Sequence, residues 1–286
     1  MNTQIGLRER RMTMMTTFAD GIPFPLLGMG VMKIADDAVP AAMLAAVSAG
    51  YRAFDTAPVY ANEIGVGNGM RDCGLERADI AITTKLWNAR QGYDETLRAF
   101  DDSLAALGLD YIDLYLIHWP VPKLGRYLDS WRALIRLQEE GRARAIGVSN
   151  FTVAHLDRII GETGVVPAIN QIELHPRWQQ PELRAYHERH GIVTQAWSPL
   201  GRGSALDNPP VTEIAAAINR SPSQVILRWL TQLDIVVIPK ASSAGHLREN
   251  IASFDFTLDD QAMATMAKLH AEDGRFGPHP DAFEMM

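Results

Sequence analysis

Eight short apolar runs, separated by longer segments of helical pattern, constrain the fold of this chain more than any other feature. Each run is rich in β-branched residues and nearly continuous in apolar character, as the strands of a parallel sheet are when both faces are covered. The segments between them carry helical patterns, several of which end at a glycine suited to a helix C-terminus. The runs lie at 26–32, 51–57, 81–87, 112–120, 143–150, 167–174, 192–199 and 235–240.

The alternation of eight strands with helices predicts a closed (β/α)8 TIM barrel, within the α/β fold class. An open doubly wound sheet is the alternative, but such a sheet usually carries a glycine-rich turn directly after its first strand. Here the first strand leads into MKIADD, which contains no glycine. We therefore favour the barrel.

Two additions to the barrel are predicted at the ends of the chain. Asp20-Gly21 is a strong turn dipeptide and predicts an N-terminal β-hairpin that could plug the barrel bottom. After the eighth strand, HLRENIASF and DDQAMATMAKLH predict extra C-terminal helices, whereas the tail GRFGPHPDAFEMM has no periodicity. We expect a poorly ordered N-terminal tail over 1–15 and a single barrel domain over 16–286.

The composition excludes several function classes. The chain has 286 residues, enough to bury a large core without disulfides or metals. Its net charge of −7 argues against a general nucleic-acid-binding protein. A single cysteine, Cys73, allows no intrachain disulfide and fits a reducing compartment. Because there is no signal-peptide pattern and no apolar stretch of ~18 residues, we expect a cytoplasmic protein without membrane contact.

Several of the predicted strands end in polar or titratable residues, and in this fold the carboxyl ends of the strands form the functional face. Asp55 ends the second strand, Lys85 lies in the third, and His118 follows in the fourth. Tyr60 lies in the loop beyond the second strand, so it can lean back over the same mouth. The later strands end in or carry Ser149, Asn150, Gln171, Trp197, Ser198 and Lys240.

The first four of these residues are the parts of a proton-donating site. A tyrosine has a pKa of ~10, which a neighbouring lysine cation would lower towards the working pH of a general acid. Asp55 would hold Lys85 in place and keep it protonated, while His118 could orient or polarise a carbonyl oxygen. The alternative interpretation is a structural ion pair with a packed tyrosine. The convergence of all four on successive strand ends favours a site.

Two other sequence patterns, the histidines and a glycine-rich segment, are weaker indications of a functional site. His118 and His175 have no companion at metal-ligand spacing, and His187 and His190 lie on a predicted helix, where a solvated face is the simpler interpretation. We therefore expect no metal. The segment GVGNG (65–69) does not match the dinucleotide-binding pattern G-x-G-x-x-G and follows no strand, so we interpret it as the start of a helix.

Six segments, spread over nearly the whole chain, carry the motifs of one family in that family's order. They are GYRAFDTAPVYANE (50–63), ITTKLW (82–87), LIHWP (116–120), IGVSNF (146–151), NQIELHP (170–176) and IPK (238–240). In these segments the chain resembles the aldo-keto reductases. The tail GRFGPHPDAF and the loop VPKLGRY after Trp119 resemble the bacterial branch that includes 2,5-diketo-D-gluconate reductases.

The resemblance implies an enzyme that reduces aldehydes and ketones by hydride transfer from a nicotinamide cofactor, with Tyr60, Lys85, Asp55 and His118 as its catalytic tetrad. Its substrates would be α-dicarbonyls, keto-sugars or related small carbonyls, in a pocket lined by Met32, Trp87 and Trp119, and the protein would be a monomer or weak homodimer. The cofactor would contact Ser149, Asn150, Gln171, Trp197, Ser198, Leu200, Gly201, Lys240, Ser242, Ser243, His246, Glu249 and Asn250. The first three would bind the nicotinamide carboxamide, and Trp197 would stack on the nicotinamide ring. Ser198, Leu200 and Gly201 would follow the pyrophosphate, and at the distal end of the cofactor Glu249 and Asn250 would hold the adenine.

In the segment expected to set cofactor specificity, the sequence departs from the usual pattern of the family that it resembles. That family usually has an arginine six residues after the lysine of Ile-Pro-Lys, whereas this chain has His246 six residues after Lys240. Arginine pairs with a phosphate through a planar fork of donors, which a neutral histidine does not match. We therefore expect NADPH as the cofactor with a weakened preference, so that NADH is also used.

Two alternatives stay open at the level of sequence. Arg202, in the short loop GRGSALDNPP, would suit an open pocket for an anionic or sugar-like substrate, or else it faces solvent or the cofactor pyrophosphate. A second function class compatible with the same fold is a cofactor-binding, redox-sensing regulatory protein. The intact tetrad disfavours that second class.

Overall fold

The computed structural model describes residues 14–241 and 243–286, so that Ser242 and residues 1–13 lie outside the description. A two-stranded hairpin precedes an eight-stranded parallel sheet whose strands follow in chain order. The strands are β1 (Met15–Thr17), β2 (Pro23–Pro25), β3 (Met29–Gly30), β4 (Ala53–Asp55), β5 (Ala81–Leu86), β6 (Ile112–Ile117), β7 (Ala143–Ser149), β8 (Ile169–Glu173), β9 (Val193–Trp197) and β10 (Val236–Val237). The helices are α1 (Val39–Ala49), α2 (Glu63–Asp72), α3 (Tyr93–Leu107), α4 (Tyr127–Glu139), α5 (Val153–Thr163), α6 (Pro181–His190), α7 (Pro209–Ala217), α8 (Pro222–Gln232), α9 (Ala244–Ile251) and α10 (Asp260–Ala267).

The parallel sheet closes on itself. Leu27, just before β3, pairs in parallel with Val237 of β10. The N–H of Gly28 donates to the carbonyl of Val237 at 2.9 Å, and the N–H of Val237 donates to the carbonyl of Leu26 at 2.8 Å. Because an open sheet leaves the edges of its outermost strands unpaired, these bonds identify a closed barrel. The predicted (β/α)8 barrel is confirmed, and the doubly wound alternative is wrong.

The predicted hairpin closes the amino-terminal end of the barrel. β1 and β2 are antiparallel, with Met15 opposite Pro25. Phe18 and Phe24 are buried, and their rings stack with centroids 5.1 Å apart. Both rings pack against the residues that begin β4, β8 and β10, which lie at the bottom of the barrel. The hairpin therefore covers the bottom of the barrel, where a cavity of about 370 Å³ remains between the hairpin and the residues that begin β5 and β6.

The hairpin includes the first two described residues, Met14 and Met15. Met15 belongs to β1, and the carbonyl of Met14 accepts a hydrogen bond from the N–H of Leu26 at 2.8 Å. These two residues were assigned to the tail predicted over 1–15, but strand pairing places them in the hairpin. The remainder of that prediction, 1–13, falls outside the described residues.

The helices begin and end at the residues expected from their sequences. Gly50 and Gly108 end α1 and α3 in the left-handed conformation, with φ of 110° and 65°. Ser221 Oγ accepts from the N–H of Gln224 at 3.3 Å at the start of α8. The two predicted C-terminal helices are α9 and α10. Within the described ranges, no helix combines the length and apolar character needed to cross a bilayer.

Candidate active site

The four residues of the predicted tetrad lie together at the carboxyl-terminal mouth of the barrel. Asp55 is the last residue of β4, Lys85 is near the end of β5, and His118 follows β6 directly. After β4, a 3-10 turn over Pro58–Tyr60 returns the chain, so that the Tyr60 ring centroid lies 5.2 Å from Lys85 Nζ. Parallel neighbouring strands thus bring together side chains that are far apart in sequence.

A buried ion pair forms the floor of this site. Lys85 Nζ donates to Asp55 Oδ1 at 2.5 Å and to the carbonyl of Thr56 at 3.0 Å, and the lysine side chain is fully buried. Burial by itself lowers the pKa of Lys85, but Asp55 and Tyr60 outweigh that effect, and the pKa lies above its ordinary value. Lys85 is therefore positively charged at neutral pH.

Tyr60 lies directly over this ion pair. Burial raises the pKa of Tyr60, and the Lys85 cation opposes that rise without overcoming it, so the net pKa lies above the ordinary value of a phenol. The net lowering expected from the sequence is wrong for the site as it stands, because that expectation left out the cost of burying a phenolate. The phenol is therefore protonated at neutral pH, as a proton donor has to be.

His118 completes the arrangement beside Tyr60. Its ring meets the Tyr60 ring edge-on with centroids 5.9 Å apart, and the Trp87 ring with centroids 5.3 Å apart. Burial and the Lys85 charge hold the pKa of His118 well below its usual range, so the imidazole is neutral. His118 Nδ1 is buried and has no hydrogen-bond partner within residues 14–241 and 243–286.

A second group of polar side chains lies next to the tetrad, at the ends of β7, β8 and β9. Ser149 Oγ donates to the carbonyl of Gln171 at 2.8 Å, and Asn150 Nδ2 donates to Ser149 Oγ at 3.0 Å. Trp197 Nε1 donates to Asn150 Oδ1 at 2.8 Å, with the indole only partly buried. Gln171 joins the two groups, because its Nε2 donates to Asp55 Oδ2 at 2.7 Å.

The loop after β9 turns sharply at the mouth of the barrel. Ser198, Gly201 and Arg202 have φ of 51°, 58° and 55°, so the chain adopts the left-handed conformation at three positions within five residues. Leu200 lies between the first two of them. Arg202 is exposed, and its guanidinium lies 5.7 Å from the centroid of the Phe276 ring. The predicted pyrophosphate-binding residues are therefore adjacent to one another on one loop.

The residues predicted for the distal part of the cofactor lie on and before α9. Lys240 and His246 are both exposed. Ser243 is the N-cap of α9, and its Oγ accepts from the N–H of His246 at 3.2 Å. Glu249 accepts a hydrogen bond from Ser223 Oγ at 2.7 Å, and Asn250 is buried. This group forms a separate, solvent-facing rim beside the mouth.

The three residues predicted to line the substrate pocket differ in exposure. Met32 is exposed, Trp87 is partly buried, and Trp119 is buried. Much of the Trp119 ring is covered by Phe283, whose ring centroid lies 4.2 Å away. Phe283 belongs to the C-terminal tail, a segment in which the sequence analysis predicts no site residue. The only signal for this contact in the sequence is an aromatic residue within a segment that has no periodicity.

The histidines and the glycine-rich segment that the sequence analysis did not assign to a site contribute to packing. His187 is buried rather than on a solvated face, because its Nε2 pairs with Asn170 Nδ2 at 3.0 Å and its Nδ1 with Thr194 Oγ1 at 2.9 Å. Burial lowers the pKa of His187 to about 3. The segment 65–69 is helical, and Gly67 allows α2 to approach the carbonyl of Leu107 closely. No group of three metal-ligating side chains occurs in the described part of the chain.

Known proteins resemble this chain over nearly its whole length. A sequence model described as the Aldo/keto reductase family matches residues 26–271, a range that includes all eight strands of the barrel. An aldo-keto reductase of Mycolicibacterium smegmatis is 48% identical over 267 residues, which are 93% of this chain and 97% of that protein. The methylglyoxal reductase DkgA of Salmonella typhimurium is 45% identical over 266 residues, which are 92% of this chain and 96% of that protein.

Solved structures share the architecture of the whole barrel. The crystal structure of Gox0644 in its apo form matches with a TM-score of 0.92 at 45% identity, covering 95% of this chain and 98% of that chain. A point mutant of Gox0644 in complex with NADPH matches with a TM-score of 0.92 at 44% identity and the same coverage. The likeness therefore extends over nearly all of both chains.

Proposed function

This chain belongs to the aldo/keto reductase family and is an oxidoreductase, and from that premise we propose that it reduces small aldehydes and ketones to alcohols with NADPH, Tyr60 being the proton donor. The proposed substrates include α-dicarbonyls and keto-sugars. Two relatives support this choice: one is named as a reductase of methylglyoxal, an α-dicarbonyl, and one was solved with NADPH.

One observation carries the proposal: a protonated phenol, a buried ammonium and a neutral imidazole lie against one another at the mouth of the barrel. The Tyr60 ring lies 5.2 Å from Lys85 Nζ and 5.9 Å from the His118 ring. A structural ion pair alone needs neither a phenol nor an imidazole beside it. The arrangement therefore supports a site that receives a carbonyl oxygen.

The residues at the ends of β7, β8 and β9 fit a nicotinamide. Trp197 offers a partly exposed indole face, and the amide and hydroxyl groups of Asn150 and Ser149 match the hydrogen-bonding groups of a carboxamide. Bound there in its reduced form, the cofactor supplies a hydride to the carbonyl carbon. Trp87 and Trp119 lie beside this site and help to exclude water from it.

In the proposed reaction, Tyr60 donates its hydroxyl proton to the carbonyl oxygen as that oxygen becomes an alcohol. The electron pair of the broken O–H bond remains on the phenolate, and the Lys85 ammonium stabilises that charge. Asp55 keeps Lys85 charged and fixed in position. The neutral His118 donates a hydrogen bond to the same carbonyl oxygen and so orients the substrate.

The proposed cofactor preference is NADPH, with NADH also used. Lys240 and Ser243 would bind the 2′-phosphate together with Ser242, whereas His246 is an exposed imidazole where a planar guanidinium would pair better. We expect His246→Arg to raise the ratio of kcat/KM for NADPH over NADH by about tenfold. A ratio above about 1000-fold in the unmodified protein would contradict the proposed dual use.

The decisive test of the reaction is Tyr60→Phe, assayed with methylglyoxal, simple aldehydes and keto-sugars. We expect the rate of NADPH oxidation to fall by roughly 10²- to 10⁴-fold while NADPH still binds. Tyr111→Phe is the matched control, since Tyr111 lies at the bottom of the barrel, where its ring contacts Arg77. Near-normal turnover in Tyr60→Phe would remove Tyr60 as the acid. A kcat far below about 1 s⁻¹ on every substrate would favour the redox-sensing alternative.

A further inference from the structure

Glu173, at the end of β8, is a buried carboxylate that the proposed reaction does not use. It is 2% exposed. Its Oε1 accepts from the N–H of Phe276 at 2.6 Å and from His175 Nε2 at 3.2 Å, and its Oε2 accepts from the N–H of Gly277 at 2.8 Å. Three donors from two parts of the chain therefore converge on one carboxylate, which anchors the C-terminal tail to the barrel.

Gly277 lies between this carboxylate and the edge of the Trp197 indole. A Cβ atom at position 277 would lie 2.7 Å from Trp197 Cη2 and 2.8 Å from Glu173 Oε2, both closer than atoms can approach. On the same side of the indole, Nε1 is held by its hydrogen bond to Asn150. The ring of Trp197 is thus fixed at two points, and one of the two depends on where Glu173 holds the tail.

Beyond Gly277 the tail crosses to the substrate side of the mouth. Phe283 covers the Trp119 ring, and the carbonyl of Met285 accepts from Asn88 Nδ2 at 2.7 Å. Within the same stretch, Glu284 pairs with Lys123 at 3.0 Å. The anchor at Glu173 therefore precedes every contact that the tail makes with the predicted substrate pocket.

We propose that Glu173 is a positioning residue that clamps the tail against Trp197 and so sets the indole plane on which the nicotinamide stacks. Because the stacking role of Trp197 belongs to the proposed function, the inference rests on that function. Hydride transfer is sensitive to displacements well below an ångström, so a shift of the indole changes the rate even when the fold is intact. Glu173 acts through Gly277 and Trp197 and does not touch the reacting atoms.

The first test needs no cofactor. In Glu173→Gln, amide hydrogen exchange at Phe276 and Gly277 should accelerate by about tenfold or more, because a neutral side-chain amide accepts less strongly and presents its own N–H groups to the tail. Asp113→Asn is the control, since it also neutralises a buried carboxylate but lies at the bottom of the barrel. Unchanged protection in Glu173→Gln would rule out the clamp, whatever the protein catalyses.

The second test measures single-turnover hydride transfer and NADPH affinity. We expect Glu173→Gln to slow hydride transfer by about tenfold and to weaken NADPH binding by less than that, whereas Asp113→Asn should change neither. Gly277→Ala leaves Glu173 intact but pushes on the indole edge, so it should reproduce the slowing even if Glu173→Gln fails to fold. In a Trp197→Ala background, Glu173→Gln should have no further effect on the rate.

The outcomes separate the two proposals. If the unmodified protein oxidises NADPH but Glu173→Gln and Gly277→Ala match the Asp113→Asn control, the positioning role is wrong and the proposed function stands. If the unmodified protein neither binds nor oxidises NADPH, the proposed function fails and the role assigned to Trp197 fails with it. In that case the exchange experiment still decides whether Glu173 holds the tail.

Discussion

The two ends of the barrel each contain a buried carboxylate that contacts a cation. At the bottom, Asp113 accepts from Arg77 at 2.7 Å, from the N–H of Ile82 at 2.9 Å and from Arg144 at 3.4 Å. At the mouth, Asp55 accepts from Lys85 at 2.5 Å. The residue types and distances of the two ion pairs are similar, so the ion pair alone does not distinguish a structural cluster from a candidate active site.

The surroundings of the two pairs differ. At the bottom, Arg77 and Arg144 extend to the surface across the Tyr111 ring, and the hairpin covers the barrel interior. At the mouth, the cation is fully buried and lies beneath a phenol, beside an imidazole whose Nδ1 has no partner among the described residues. A fully buried cation grouped with a phenol and an imidazole, rather than an ion pair alone, therefore distinguishes the candidate site at the mouth from the cluster at the bottom.

Among these predictions, the largest difference in kcat/KM is expected between two variants that each lack the cation at one end of the barrel. Lys85→Met takes away the charge that stabilises the Tyr60 phenolate and leaves Asp55 buried without its partner. We expect kcat/KM to fall roughly 10³-fold and the free energy of unfolding to fall by about 3 kcal/mol or more. Arg77→Met should lower the free energy of unfolding by about 1–3 kcal/mol but leave kcat/KM within about twofold. Equal losses of kcat/KM in both variants would end the distinction between the two regions.

The hairpin offers a test of the bottom alone. Phe24→Ala removes a buried ring that stacks on Phe18 and fills the amino-terminal end of the barrel. We expect the free energy of unfolding, measured in urea, to fall by about 3–5 kcal/mol. Activity measured well below the unfolding midpoint should be unchanged, because the described residues that form a core with this ring belong to the hairpin and the barrel interior. A selective loss of activity in the folded variant would show that the two ends are coupled.

A smaller effect is expected in the pH dependence of stability, with opposite signs at the two ends. Burial raises the pKa of Glu173, but hydrogen bonds from His175 and the tail outweigh it, and the net pKa lies below the usual value. Burial raises the pKa of Asp113 and its arginine partners do not cancel the rise. Glu173 therefore contributes stability above the ordinary carboxyl pKa that is lost as the pH falls through its lowered pKa. The contribution of Asp113 is lost as the pH rises through its raised pKa.

The two carboxylates can be separated by subtracting isosteric variants. Urea unfolding between about pH 3 and pH 7 should show that the stability advantage of the unmodified protein over Glu173→Gln shrinks towards low pH. Its advantage over Asp113→Asn should shrink towards high pH. If both stability advantages shrank towards high pH, burial would dominate the pKa of both carboxylates.

The smallest expected effect concerns the tip of the tail. Lys123→Ala removes an ion pair with Glu284 in which both side chains are exposed. We expect at most about a twofold change in KM for the carbonyl substrate, because exposed ion pairs contribute little and are screened by salt. The change should vanish in high salt. A larger effect than that of Glu173→Gln would place the anchor of the tail at its tip instead of at its base.

Most of the fold and the tetrad could be predicted from the sequence because both depend on short-range patterns. Buried parallel strands are apolar along their whole length, and Asp55, Lys85 and His118 stand where such runs end. The sequence did not reveal which polar side chains are buried or what they contact. His187 lies in a polar helix but turns inward to Asn170 and Thr194. Glu173 lies within a motif that was recognised, yet its partners in the tail are about a hundred residues away, and no local pattern could reveal them.

The sequence by itself determined that eight strands alternate with helices, and it determined which chemical groups stand at the strand ends. The tertiary structure decided the protonation of those groups and the course of the tail across the mouth. The physical reason is that a pKa depends on every charge and every loss of water around a group, and those arise only when distant segments pack together. Tyr60 is the clearest case, since the lysine that favours its phenolate and the burial that opposes it both come from the folded barrel.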